Sequence, residues 1–181
     1  IDASTVRIDD YLMAFFMVER MIRSGCRKIV HLAGPDHISN GYDRHRGYRE
    51  ALEKFSIPYD KRYVIKGGLS AEEGAAAVEK FMSQGLDFDG LFGFTETSTL
   101  GAKSSLQKMN YRIPEDVSLC CISGTTLCTL VHPTVTAVEQ PVIEMATLSC
   151  KLLLGQIADP NAAIESVMLR GNIVERESFR I

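Results

Sequence analysis

An α/β fold, with open parallel sheets flanked by helices, is the class this sequence predicts, and three observations predict it. Short apolar runs alternate with longer segments whose apolar residues recur at helical spacing. The unit strand, loop, helix recurs four times along the chain, as expected of right-handed crossovers onto a parallel sheet. The 181 residues are 45% hydrophobic and 24% charged, a globular balance that excludes disorder, collagen and coiled coil. That length suggests one domain, or one and part of another.

Residues 6–8 read as a first short strand and 11–23 as an apolar-rich helix ended by Gly25. Residues 28–33 form a buried strand that runs into the turn residues Gly34 and Pro35. Over 44–55, Tyr48, Ala51, Leu52 and Phe55 fall at i, i+3, i+4 and i+7, one face of an amphipathic helix that Ser56-Ile57-Pro58 stops. A third strand spans 63–66. Ser70 then suits an N-cap, with Glu73 completing a capping box, and the helix runs to about Gln84 before Gly85. Residues 90–94, 98–109 and 117–122 are the fourth strand, fourth helix and fifth strand. After a loop over 123–133, residues 135–138 are extended. Residues 140–157 form a long helix with Ile143, Ala146, Cys150, Leu153, Leu154 and Ile157 along one side. Residues 166–169 and 172–174 are the final strands. Ligands of such sheets bind at the carboxyl ends of the strands, here the loops 34–43, 67–70, 95–97 and 123–132.

Lys+Arg total 20 against Asp+Glu 23, a net charge of −3, so the basic footprint of phosphate-backbone binding is missing from this chain. No apolar run reaches the roughly 18 residues of a membrane span and no signal-peptide pattern opens the sequence, which predicts a soluble chain without an export signal. Five cysteines lack C-x-x-C or Cys/His ligand spacing, so neither zinc nor a disulfide framework is expected. Cys120 and Cys121 read as buried hydrophobes. Phosphate-loop, dinucleotide, nucleophile-elbow and zinc-protease motifs are all absent. His31 reads as a core residue of its strand, and His37 stays a crevice candidate. Asp9-Asp10 resembles the acidic pair of a phosphorylation receiver, but no later strand end supplies the phosphoacceptor. No catalytic residue, metal site or cofactor is expected. Arg44, read at the junction of a crevice loop and a helix, offers a planar fork of donors to vicinal hydroxyls or a carboxylate. A positive charge there opposes the helix dipole, which favours a ligand role.

Several spaced motifs then coincide. They are Ile8-Asp9-Asp10; Gly25-Cys26-Arg27-Lys28-Ile29 through Ala33-Gly34-Pro35; Arg44-x-x-Gly47-Tyr48-x-x-Ala51-Leu52; Gly101-Ala102; Ile113-Pro114-Glu115-Asp116-Val117-Ser118; His132-Pro133-Thr134 through Gln140-Pro141; and Arg176-Glu177-Ser178. In this order and spacing the chain resembles the ligand-binding core of the LacI-type (LacI/GalR) transcription regulators, built on the periplasmic-binding-protein fold. The resemblance implies a cytoplasmic, two-lobed effector sensor. A small molecule, usually a sugar or nucleobase, binds between lobes and changes the affinity of a homodimer for operator DNA, which a helix-turn-helix absent here would read. It also implies a division: 1–25 and 136–165 as part of the N-terminal lobe, 26–135 as the complete C-terminal lobe, and 166–181 as final strands mainly of the C-terminal lobe.

Arg44 matches the family's ligand-binding arginine, with Asn40, Asp10, Thr95, Glu96 and Ser123 as further polar candidates. Thr95-Glu96 stands where the family has Asn-Asp, and Ser123-Gly124 where it has an Asp pair. A serine at 123 removes a bidentate acceptor for ligand hydroxyls. Glu96 either replaces part of that acidity or caps the helix near Ser98. Leu69 and Val142 occupy positions that often carry a stacking aromatic; neither can stack, which leaves Phe94 or Tyr42. Replacing Arg44 by Ala is expected to abolish the effector response with the fold intact. An exported solute-binding protein of the same fold is the alternative reading. A third, an enzyme, lacks a nucleophile, base and orienter set.

Overall fold

Met13, Ala14, Met17, Val18, Met21 and Ile22 lie on one face of helix α1 (Asp10–Arg23) and are buried there. Each of these side chains larger than Ala14 contributes about 2 kcal/mol of apolar burial. The computed structural model describes residues 3–159 and 161–180. Contacts divide it into a larger unit, 10–139 with the end of the chain from 173, and a smaller one, 140–172 with the start of the chain up to Asp9.

In the larger unit the strands are β2 (Ile29–Ala33), β3 (Val64–Lys66), β4 (Gly90–Gly93), β5 (Ser118–Gly124), β6 (Thr136–Glu139) and β8 (Asn172–Val174). They form one sheet in the order β3-β2-β4-β5-β6-β8. The pairs β2–β3, β2–β4, β4–β5 and β5–β6 are all parallel. Alternation sends Val30, Leu32, Leu91, Leu119 and Cys121 into a core with α3 (Ala71–Met82) and α4 (Glu96–Lys108). His31 and Cys120 meet the other layer, α1 and α2 (Ser39–Lys54): His31 stacks on Tyr48, and Cys120 touches Met21. A Cβ on Gly74 or Gly101 would stand 2.0 Å from the Ser98 carbonyl oxygen or 1.9 Å from that of Ala71, so α3 and α4 approach at glycine distance.

Local signals act as read. Gly25 takes φ 108° after α1, and Ser70 and Glu73 form both halves of the capping box. Most boundaries shift by only one or two residues, and three of the changes bear on the site. α2 starts at Ser39 rather than 44, because Ile38 holds its carbonyl to the amides of Gly41 and Tyr42 and Gly41 lies against the Pro35 carbonyl. α4 starts at Glu96, with Thr95 as N-cap. β5 runs on to Gly124, past an irregularity between Ile122 and Gly124 where Ser123 takes φ 65°.

The smaller unit holds β1 (Thr5–Ile8) parallel to β7 (Ser166–Leu169), and α5 (Val142–Ala158). The apolar side read for this last helix is not buried: Ile143 is 80% exposed, Leu154 64% and Ile157 67%. Two short strands and one helix offer too little surface to cover two sides of α5, and no residue of α5 is fully buried. The unit boundaries also depart from the division the resemblance implies. α1 and β6 belong to the larger unit, because α1 packs on α2 and β6 pairs with β5, whereas β7 belongs to the smaller, paired with β1.

Candidate functional site

Between β2 and β4 the strand order reverses: the chain leaves β2 towards β3 on one side and returns to β4 on the other. Such a switch point opens a crevice at the carboxyl ends of the strands. Arg44, in the second turn of α2, stands there, only 2% exposed. Its Nε donates to Asp10 Oδ1 at 2.6 Å, and a terminal nitrogen meets the same oxygen at 2.6 Å. A further N–H donates to the Phe94 carbonyl, and another reaches Ser123 Oγ at 3.4 Å. The Phe94 ring lies 4.5 Å from the guanidinium carbon, a cation–π contact in a dry setting. Burial lowers the Arg44 pKa and the charge of Asp10 works against that shift; an arginine so paired stays charged.

Asp10 opens α1, where a carboxylate also favours the helix dipole. It is therefore the residue that holds Arg44 in place. The placement read from sequence, an arginine at a helix start, is corrected: Arg44 lies inside the helix, and Asp10 and Phe94 already take several of its donors.

Glu96 neither caps a helix nor stands free. Its carboxylate accepts from the Thr125 amide at 2.7 Å, the Thr125 hydroxyl at 2.6 Å and the Cys128 amide at 2.9 Å. Burial alone would raise its pKa, but the hydrogen bonds from Thr125 and Cys128 outweigh it and the pKa falls. Glu96 thus clasps the short 3-10 turn Thr126–Thr129, which follows Ser123, to the start of α4. Thr95 donates to the Gly68 carbonyl at 2.7 Å and accepts from the Ser98 amide at 3.3 Å, tying the exit of β4 to that of β3.

Arg44, Asp10, Ser123, Thr95 and Glu96 therefore gather around neighbouring strand ends of the larger unit. Asn40 is half-buried in the first turn of α2. Leu69 is 52% exposed beyond β3, and Val142, 61% exposed, opens α5 in the smaller unit. Tyr42 is exposed at 61%, whereas Phe94 is buried beneath Arg44. Thr125 and the Phe94 carbonyl escaped the sequence reading; the Ser-Gly-Thr-Thr run at the end of β5 is the signal for the first, and nothing in the sequence marks the second. His37 is exposed in the loop before α2. His31 is fully buried between Tyr48 and Phe92, its Nδ1 3.1 Å from the Phe92 carbonyl oxygen. Burial drives its pKa down to about 3. All five cysteines are free, with Cys150 alone exposed. Among the described residues no three His, Cys, Asp or Glu side chains gather as metal ligands, and no helix is long and apolar enough to cross a membrane.

Fold and site define an α/β core with a polar crevice at the switch point of its sheet. The chain matches the family described as periplasmic binding protein-like domain over residues 18–179. It is 30% identical over 160 residues to the HTH-type transcriptional regulator CelR of Thermobifida fusca, covering 88% of this chain and 47% of that protein. It is 26% identical over 180 residues to the HTH-type transcriptional repressor CytR of Escherichia coli, covering 99% and 53%. Among solved structures, the CelR–cellobiose complex superposes with a TM-score of 0.93 at 29% identity, covering 98% of this chain and 54% of that one. The regulator CcpA of Lactococcus lactis superposes at 0.90 and 26%, covering 97% and 64%. The chain spans about half the length of the curated relatives it matches. It belongs to the periplasmic-binding-protein-like family.

Proposed function

We propose that this chain is the effector-sensing and dimerisation core of a cytoplasmic LacI-type repressor, without catalytic activity. A small, sugar-like molecule bound at the crevice favours one of two conformations of the full-length homodimer and so changes its affinity for operator DNA. A helix-turn-helix outside this sequence makes the DNA contact. The larger unit answers to the family's C-terminal lobe and the smaller to part of the N-terminal one.

The observation that carries this reading is the buried Arg44, oriented by Asp10 and Phe94 at the switch point of the sheet. Arg44 and Ser123 supply polar contacts to the ligand, with Asn40 beside them, while Glu96 and Thr95 hold the loops. Leu69 adds apolar rather than stacking contact. Support comes from CelR, whose solved complex contains cellobiose. The test is a thermal-shift screen of cellobiose, ribose, nucleosides and sugar phosphates. A specific ligand at 100 times its Kd stabilises by about 2.7 kcal/mol. Arg44→Lys, which keeps the charge and loses the fork, should abolish that shift. A panel without a stabiliser, or a ligand indifferent to Arg44→Lys, overturns the reading.

A further inference from the structure

Charge is matched, and slightly more than matched, around the loops where β2 to β5 end. Arg44 faces Asp10 through two contacts of 2.6 Å to one carboxylate oxygen. At the end of β3 the Lys66 ammonium pairs with Asp36, in the loop after β2. On α2, Arg46 stands 3.8 Å from Asp43. Lys80 of α3 shares its wall of the adjoining trough with Glu73. Glu96 is the acid without a cation opposite it: the Thr125 and Cys128 amides and the Thr125 hydroxyl hold its carboxylate. Those bonds lower its pKa, so it is ionised at neutral pH. Lys103 does not offset it, because it lies about two turns further along α4 and donates to Gln107 and the His132 carbonyl.

An anionic ligand therefore meets no unmatched cation at these strand ends. A carboxylate or phosphate seated on Arg44 would lie beside the Asp10 carboxylate, with Glu96 adding to the repulsion. Displacing Asp10 instead would leave that acid, 14% exposed, without its countercharge. A hydroxyl meets neither cost, since it accepts from Arg44 and donates to Ser123 Oγ while Asp10 keeps its place. Arg44 could serve hydroxyls or a carboxylate by its shape alone; its partner decides between them.

We propose that the crevice selects against anions, so that its effector is an uncharged polyhydroxylated molecule rather than a phosphorylated or carboxylated one, with Asp10 as the specificity-determining residue. The proposal rests on the crevice being the effector site. Titration calorimetry on the full chain compares matched pairs: ribose with ribose 5-phosphate, cellobiose with its uronic acid, adenosine with AMP. In any pair that binds, the neutral member binds about tenfold more tightly or better, as one like charge at close range requires. Raising the salt from about 50 to about 500 mM narrows that gap, because screening relieves a repulsion. Asp10→Asn leaves Arg44 without its countercharge and moves the ratio about tenfold towards the anion. Asp36→Asn, at a pair that is largely exposed and spares the fold, moves it the same way by about twofold. An anion that binds as tightly as its neutral partner, a gap that widens with salt, or a ratio unmoved in a folded Asp10→Asn chain overturns the proposal and leaves the effector site standing. No binding by either member of any pair overturns both.

Discussion

Replacing Arg44 by Met should destabilise the chain by about 3 kcal/mol, because breaking a buried ion pair from one side leaves the other charge uncompensated. The Arg44 side chain is 2% exposed and that of Asp10 14%, which places the pair at the lower end of the buried range rather than among surface bridges worth well under about 1 kcal/mol. Asp10→Asn removes the countercharge and should cost a similar amount. The expectation from sequence, that an Arg44 substitution spares the fold, is revised accordingly. In the double variant neither charge is left alone, so its loss should fall about 2 kcal/mol or more short of the sum of the singles. The assay is urea unfolding followed by far-UV circular dichroism, since the chain has no Trp. Single losses below about 1 kcal/mol, or strict additivity, would show that the pair is not a buried unit and refute the account of how Arg44 is held.

Other groups make further demands. Glu96→Gln should cost about 2 kcal/mol at neutral pH by weakening the clasp on Thr125 and Cys128. Because the folded pKa of Glu96 lies below its ordinary 4.5, its stabilisation is present above that value and lost as pH falls through the folded pKa. The gap between wild type and variant should therefore close in acid; urea midpoints that stay parallel contradict it. His31, held neutral with a pKa of about 3 against an ordinary 6.5, should remove up to about 1.4 kcal/mol per pH unit as pH falls between those values. Its imidazole NMR signals should not move between pH 8 and 5, and titration in that window would disprove the burial argument. Ser123→Gly should stabilise by about 0.5 kcal/mol, since φ 65° suits glycine; a lower melting temperature would mean that Ser123 Oγ matters more to Arg44 than its 3.4 Å contact implies.

Periodicity and caps made most of the larger unit legible. The capping box at Ser70 and Glu73, the stop at Gly25 and the alternating faces of β2 and β5 are local signals, and local geometry satisfies them. The start of α2 was hidden because Ser39, Asn40 and Gly41 are turn formers. They become helical where Gly41 fits against the Pro35 carbonyl, a contact between segments. The site shows the same limit. Arg44 was visible as a candidate, yet its partners Asp10, Phe94 and Ser123 are 34, 50 and 79 residues away along the chain.

By itself, then, the sequence determined the element types, the parallel α/β class, the crevice loops and, through motif order, the LacI-type resemblance. These rest on spacing within a few turns of chain, where hydrophobic period and capping chemistry are decisive. Only the tertiary structure decided that Arg44 is a buried, paired cation, that Glu96 clasps a turn, and that the apolar side of α5 stays exposed. The reason is that desolvation, ion pairing and burial depend on which distant segments meet, and strand order in the sheet sets those meetings.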